Sequence, residues 1–151
     1  MENQVTKPPM ILVVEPDPLM LTGFAAILDM QGYRCFLARS VEVAMQAISE
    51  IPLDLILFSI GESLDQALAD SKLLRSKPLS EGVPIIFIAS YPNVDWIGPL
   101  NSVGGVYCLP RTFEPQVLLD AVEKTLWMPH LAVARVAPPK SHLSNNWVRL
   151  S

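Results

Sequence analysis

The chain has 151 residues, of which 50% are hydrophobic and 17% are charged. This matches one domain with a packed core and excludes a wholly disordered chain. No apolar run approaches the roughly 20 residues of a membrane-spanning helix, and residues 1–9 lack the apolar stretch of a signal peptide, so we expect a cytoplasmic protein. The net charge of −4 argues against nucleic acid as the main partner.

The first predicted elements are a strand, a helix and a second strand. Met10–Val14 is a continuous apolar run of strand length. Asp17 and Pro18 then indicate a helix start, because a carboxylate caps free amides and proline suits the first helical position. The helix keeps an apolar period near 3.6 residues and ends at Gly32. A short strand over Arg34–Ala38 follows.

The middle of the chain repeats this alternation. Ser40 can cap a second helix, and Leu53–Phe58 is a third strand whose mostly apolar run predicts burial on both faces. A weaker helix is expected over Leu64–Leu74, and Pro84–Ala89 is a fourth strand.

The last elements are less regular. A helix is predicted within Tyr91–Val103, but Gly98 and Pro99 interrupt its pattern. Val106–Leu109 is a short fifth strand, and Glu114–Leu126 is the last helix.

Five strands alternating with five helices predict an α/β fold, a doubly wound five-stranded parallel sheet in a flavodoxin-like three-layer sandwich. We place this domain at residues 10–128, after an N-terminal extension at 1–9 and before a C-terminal tail or linker at 129–151. Function in such sheets gathers at the carboxyl ends of the strands. The residues at those ends are Glu15, Pro16, Asp17, Ser59, Ile60, Gly61, Ala89, Ser90, Pro110, Arg111 and Thr112.

Four of these strand ends, in this order, resemble the receiver domain of bacterial two-component response regulators. ILVVEPDPLM resembles its first strand and acidic turn, and LDLILFSI resembles the strand that delivers the phosphoacceptor aspartate. VPIIFIAS resembles the strand that ends in a Thr/Ser switch, and GGVYCLPRTFEP resembles the strand that ends in Lys-Pro-Phe. The resemblance covers about residues 9–128 and implies the receiver fold and a signalling context.

The resemblance also implies that the chemical residues of this family are replaced. The family's two acids and acceptor aspartate, which hold Mg²⁺, correspond to Glu15, Pro16 and Ser59. Ala89 stands in the place of the Thr/Ser switch, and Arg111 stands in the place of the lysine. Thr112 replaces the proline that follows this lysine, and Cys108 replaces the aromatic switch.

These replacements weaken the case for a metal and for phosphoryl transfer. Mg²⁺ requires octahedral oxygen ligands, and one certain acid, Glu15, remains. Asp17 is more simply explained as a helix cap than as a ligand. We therefore expect no metal site, weak or absent Mg²⁺ binding, no cofactor, no catalytic residue and no enzymatic activity.

Ser59 is open to two interpretations. It is a small polar residue in the place of the acceptor, or it is a site for a serine kinase. As a nucleophile it would need a base, and both histidines, His130 and His142, lie in the tail. Ser90 could replace the missing switch hydroxyl only if the strand register slips by one residue, which would turn it to the other face.

Arg111 is the most informative replacement, because arginine forms a planar fork suited to a carboxylate. We expect it either to pair with Glu15, filling the space of metal and phosphate, or to point to solvent. With Thr112 in place of proline, we expect a trans bond between Arg111 and Thr112. Ala89 and Cys108 should remove the hydroxyl-to-aromatic switch.

A candidate interface lies on the fourth helix, fifth strand and fifth helix, a face that receivers use for dimers and partners. Trp96, Ile97 and Leu100 are its candidate contacts, unless Trp96 folds inward to cover a broken helix. Tyr107 belongs to the same region, but we expect it to pack on the opposite side of the sheet from Cys108.

The tail carries three cationic side chains, Arg135, Lys140 and Arg149, and no acid. We expect either a flexible linker or an extra strand formed by LAVARVA, residues 131–137. The sequence as a whole predicts an atypical receiver (a pseudo-receiver) in phosphorelay signalling that acts by phosphorylation-independent protein–protein interaction, with a homodimer as one form and no membrane partner. The alternatives are a receiver still switched through Glu15 and Ser59 by a covalent or metal signal, and a purely structural oligomerisation module.

Overall fold

The computed structural model of the chain describes residues 7–111, 113–127 and 148–150. The strands are β1 (Met10–Val14), β2 (Arg34–Ala38), β3 (Leu55–Ser59), β4 (Ile85–Ala89), β5 (Gly105–Pro110) and β6 (Val148–Arg149). The helices are α1 (Pro18–Met30), α2 (Val41–Ile48), α3 (Leu64–Leu74), α4 (Ile97–Ser102) and α5 (Pro115–Trp127). The sheet order is β2-β1-β3-β4-β5-β6, in which the first five strands are parallel. The predicted doubly wound sheet is confirmed.

The ends of α1 follow from the residues that predicted them. The Asp17 carboxylate accepts from the Leu19 amide at 3.0 Å, and Pro18 occupies the first helical position. At the other end Gly32 has φ 85°, a left-handed conformation that suits glycine. The amide of Tyr33 there donates to the carbonyl of Leu28 at 3.2 Å, which closes the last turn.

Serine side chains begin the next two helices. The hydroxyl of Ser40 accepts from the Val43 amide at the start of α2, and that of Ser63 accepts from the Gln66 amide at the start of α3. Each contact satisfies an amide that has no partner within its own helix.

The third strand differs from its predicted limits. It begins at Leu55, and Asp54 lies beside the start of β1, where its carboxylate accepts from the Met10 amide at 2.8 Å. It extends to Ser59, which is therefore the last residue of the strand. All five side chains of β3 are buried, as expected for a central strand covered on both faces.

The fourth helical segment is split. A 3-10 turn over Val94–Trp96 leads into α4, which has only six residues. Pro99 is tolerated because it falls in the first turn, where amides lack helical partners. This explains why the sequence pattern between Tyr91 and Val103 is interrupted.

A sixth strand, β6, lies antiparallel on the outer edge of β5. It adds to the predicted five-stranded sheet and comes from residues 148–149; the segment 131–137, where an extra strand was considered, lies outside the described residues. None of the helices in the described ranges has the length and apolar character to cross a membrane.

Candidate functional site

The carboxyl ends of three strands bring Glu15, Ser59 and Arg111 together. Glu15 follows β1 and continues its pairing, since its amide donates to the carbonyl of Ala38 at 3.0 Å. Ser59 ends β3, and Arg111 follows β5. Glu15 is only 2% exposed, whereas 28% of the Arg111 side chain is exposed. The buried carboxylate therefore lies beneath a cation that reaches it from the surface.

One oxygen of this carboxylate receives two donors. The hydroxyl of Ser59 donates to Oε1 of Glu15, and Nη1 of Arg111 lies 3.0 Å from the same oxygen. The pairing alternative for Arg111 is thus the one that the structure contains. Arginine and carboxylate cancel in charge, and the hydroxyl adds a neutral hydrogen bond.

The other contacts complete this arrangement, which we call the Glu15 cluster (Glu15, Ser59 and Arg111). Oε2 of Glu15 accepts from the backbone amide of Asp17 at 2.9 Å. Nη2 of Arg111 lies 3.4 Å from the carbonyl oxygen of Ile60. Both carboxylate oxygens are therefore engaged by donors, and the guanidinium contacts the loops after β1 and β3.

The residues of this cluster do not fit Mg²⁺. A divalent ion would need several oxygen ligands, and the nearest second carboxylate in sequence, Asp17, caps α1. Pro16 contributes no side-chain ligand, and its carbonyl oxygen accepts from Nε of Arg39 at 3.2 Å. Among the described residues, no group of three or more His, Cys, Asp or Glu side chains could hold a metal ion.

The positions of the family's switch residues are apolar or exposed. Ala89 is buried at the end of β4, and Ser90 is exposed beyond it. Cys108 is buried on the α4 side of the sheet, and this burial raises the pKa of its thiol to about 12. Tyr107 packs on the opposite side, as expected for neighbouring residues of a strand. Thr112, and with it the bond between Arg111 and Thr112, lies outside the described residues.

The candidate interface residues are mostly turned inward. Leu100 and Tyr107 are buried, while Trp96 and Ile97 are half-buried against the core. The large exposed apolar side chains of this region are Tyr91, Val94 and, on α5, Trp127, which are 84%, 74% and 71% exposed. Trp96 packs partly against the core, and the sequence pattern did not single out the three residues that reach solvent.

A cleft of about 580 Å³ opens beside Ser59, between α2 and α3. Its charged lining residues are Arg39, Glu42, Glu62 and Asp70. Sequence reasoning missed this cleft because it considered the carboxyl ends of four strands and omitted that of β2, where Arg39 and Ser40 lie. The charged residues that line the cleft did not indicate it in the sequence, because exposed charges are common at helix starts.

No protein-family model matches the sequence, and no curated protein matches it either. Solved structures do match. A chemotaxis protein of Vibrio cholerae is 18% identical with a TM-score of 0.71, over 79% of this chain and 99% of that one. A two-component response regulator from Clostridium difficile is 21% identical with a TM-score of 0.71, over 81% and 98%.

A third match is the receiver domain of a sensor histidine kinase from Pseudomonas aeruginosa, 21% identical with a TM-score of 0.65, over 78% of this chain and 96% of that one. That structure holds a magnesium ion coordinated in its active-site cleft. Together these similarities show that the chain has the CheY-like fold of response-regulator receiver domains.

Proposed function

We propose that the chain is a pseudo-receiver: a protein-interaction module of two-component phosphorelay signalling that acts in the cytoplasm without aspartyl phosphorylation and without catalysis. Its partners would be proteins of such a pathway, recognised by the surface of the receiver fold. The observation that carries this proposal is the Glu15 cluster, in which an arginine and a serine occupy the carboxylate that a metal would need.

Phosphorylation of a receiver requires a carboxylate nucleophile, a divalent cation and positive counter-charge. Ser59 supplies no carboxylate, and its hydroxyl donates to Glu15. Arg111 provides positive charge, but that charge is paired with Glu15 at 3.0 Å. An incoming phosphate would have to break this pair, and the next acid along the chain, Asp17, already caps α1.

The same geometry disfavours a serine kinase. Ser59 is 7% exposed and is the last residue of a central strand, so its backbone pairs with β4. A kinase must bind its acceptor serine in an accessible segment, and here that would mean opening the centre of the sheet. We therefore assign Ser59 a structural role.

We propose that these contacts hold the module in a single conformational state. Arg111 connects the loop after β5 to Glu15 and to the carbonyl of Ile60. In our proposal this permanent pair holds the strand ends as a phosphate and a cation would hold them in a switched receiver. The module would then present one partner surface constantly, with its availability set by concentration and by the partner.

The test is intact mass spectrometry of the full chain after incubation with Mg²⁺ and acetyl phosphate or phosphoramidate. We expect an unchanged mass. A gain of one phosphate in the wild type, absent from Ser59→Ala, would establish the rival in which Ser59 still receives a covalent signal. A gain retained in Ser59→Ala would place an acceptor elsewhere and also contradict the proposal.

Self-association on the side of α4 and α5 is part of the same proposal; the outer edge of β5, the third element of that face, is paired with β6. Tyr91 and Val94 are the exposed apolar residues beside α4, so they are the contacts to alter. Solution mass measured over a range of concentrations should show a dimer that is weakened by Tyr91→Ser but unchanged by Leu19→Ser, an exposed apolar control on α1.

A further inference from the structure

The outer edge of β5 is occupied by the end of the chain itself. In the antiparallel register Tyr107 lies opposite Arg149 and Cys108 opposite Val148. One residue further on, the amide of Leu150 donates to the carbonyl of Val106 at 2.7 Å. Because alternate residues of a strand point the same way, the amide of Cys108 faces β6 on the same side as the carbonyl of Val106.

Leu150 is as buried as a core residue, although it lies beyond a strand of two residues. Its exposed fraction is 3%, and it belongs to the same apolar cluster as Leu100, Val103 and Cys108. Full burial of a side chain of this size stabilises the folded chain. The apolar contact of Leu150, more than the short ladder, therefore holds β6 in place.

Gly105 leaves the space that this side chain uses. A Cβ atom at Gly105 would lie 2.8 Å from Cδ1 of Leu150 and 2.7 Å from Cε2 of Phe87. The backbone of Gly105 is not left-handed, unlike that of Gly104, whose φ is 101°. Glycine at 105 is thus required by close packing, and we call the recess at Gly105, beside Phe87 and Leu100, the Leu150 socket.

We propose that the β5 edge and the Leu150 socket form a strand-acceptor site for an extended peptide segment with a large aliphatic side chain, and that the chain's own terminal strand occupies the site in cis. A partner segment binds by replacing β6, with main-chain hydrogen bonds for affinity and the socket for specificity. This inference concerns the sheet edge and its own side chains, so it stands independently of the Glu15 cluster.

The strand β6 competes with a partner segment for the β5 edge, and this competition sets how tightly the partner binds. The terminal strand belongs to the same chain, so it competes at an effective concentration on the order of millimolar. It is also short, with two paired residues and one buried anchor, which makes it replaceable. A chain with a disabled anchor should therefore bind an added strand much more tightly than the wild type does.

The experiment uses the full chain and a fluorescent synthetic peptide of residues 142–151. We expect the Leu150→Asp chain to bind this peptide at least about tenfold more tightly than the wild-type chain, by fluorescence anisotropy. The matched control chain is Leu150→Met, which keeps the anchor and should bind as weakly as the wild type. A peptide carrying Leu150→Asp should bind none of the three chains.

Two outcomes would overturn the proposal: no binding of the wild-type peptide to a folded Leu150→Asp chain, or equal binding of the two peptides. Amide hydrogen exchange is a second, independent measurement of whether a strand occupies the β5 edge. In the wild type the amides of Cys108 and Leu150 should be protected, less strongly than that of Leu57 in β3. In Leu150→Asp only the first two should lose protection.

Loss of protection at Leu57 would show that Leu150→Asp does not fold. In that case amide hydrogen exchange of the wild-type chain tests the proposal. Unprotected amides at Cys108 and Leu150 in the wild-type chain would mean that no strand occupies the β5 edge, and the proposal would then be wrong.

Discussion

Ser59 and Arg111 donate to the same oxygen of Glu15, one from the end of β3 and the other from the loop after β5. A single buried carboxylate oxygen thereby joins three strand ends. In a receiver that takes a phosphate, the corresponding space must accept a cation and an anion in turn. Here it is filled by the side chains of Glu15 and Arg111, whose charges neutralise each other.

Removing Arg111 should destabilise the fold. In Arg111→Ala the buried Glu15 carboxylate keeps the Ser59 hydroxyl and the Asp17 amide but loses its counter-charge. We expect a loss of about 1–3 kcal/mol in the free energy of unfolding, toward the lower end because part of the arginine is exposed to solvent. Urea denaturation monitored by circular dichroism measures it.

A double-mutant cycle isolates the pair itself. Glu15→Gln removes the charge while keeping the shape, so the combined variant with Arg111→Ala should cost less than the sum of the two single variants. We expect a coupling free energy of about 0.5–3 kcal/mol. A coupling of zero would mean that Arg111 and Glu15 do not stabilise each other.

Introducing an acid at position 59 should destabilise the fold. Ser59→Asp places a second carboxylate against the buried Glu15 without adding a cation, so we expect a loss on the order of 2 kcal/mol in the free energy of unfolding. Ser59→Asn is the matched control, because it has the same shape and no charge. The prediction is wrong if the two variants have equal stability in the absence of Mg²⁺.

Mg²⁺ should rescue a variant with more acids. In Pro16→Asp combined with Ser59→Asp, three carboxylates meet at one strand edge, and a cation that binds only the folded state raises its Tm. We expect a Tm that rises with Mg²⁺ concentration for this variant and stays constant for the wild type. Thermal melts in MgCl₂ and in NaCl of equal ionic strength separate the two cases.

A second packing contact, away from the Glu15 cluster, tests the fold at the loop before β5. Nη1 of Arg75 donates to the carbonyl of Val103 at 2.8 Å, and a Cβ at Gly104 would lie 2.5 Å from Cζ of Arg75. Gly104 also has φ 101°, so Gly104→Ala should cost about 1–3 kcal/mol in stability. Gly98→Ala, with no atom near its Cβ, should be neutral or stabilising by up to about 1 kcal/mol.

The two thiols should react slowly in the folded chain. Burial raises the pKa of Cys108 from 9.0 to about 12, and burial with the nearby charge of Asp29 raises that of Cys35 to about 11. The unfolded chain ionises these groups near 9.0, so their contribution to stability is present below that pH and declines as the pH rises toward 11–12.

Labelling with a chromogenic disulfide reagent at about pH 8 measures this protection. We expect Cys108 to react orders of magnitude more slowly in the native chain than in urea, with Cys108→Ala assigning the slow phase. Equal rates in native and unfolded chains would contradict the burial of Cys108 and the partial burial of Cys35.

Much of the fold could be predicted from the sequence, because local signals and global pattern agree. Asp17, Pro18 and Gly32 set the ends of α1 by capping and backbone geometry, and the apolar runs set the strands. The meeting of Glu15 with Arg111 was one of two alternatives, since strand order brings the residues to one edge but does not fix the direction of a side chain.

Other features had no local signal. The strand β6 has two residues, too few to show an alternating pattern, and depends on the burial of Leu150 in a socket built by residues about 45 positions earlier in the chain. The inward position of Trp96 depends on how α4 shortens after the 3-10 turn. The cleft beside Ser59 requires knowing how far α2 stands from α3. Each is a tertiary property that pattern alone does not determine.

The most direct test of the Glu15 cluster is a Mg²⁺ titration of the ¹⁵N-labelled full chain, followed by NMR at the backbone amides of Asp17 and Ile60. The Asp17 amide donates to Glu15, and Ile60 follows Ser59, so both would sense an ion at this carboxylate. We predict no saturable shift beyond that seen in NaCl of equal ionic strength. A saturable shift at both amides that disappears in Glu15→Gln would contradict the account, because it would show that the cluster still opens to bind a divalent ion.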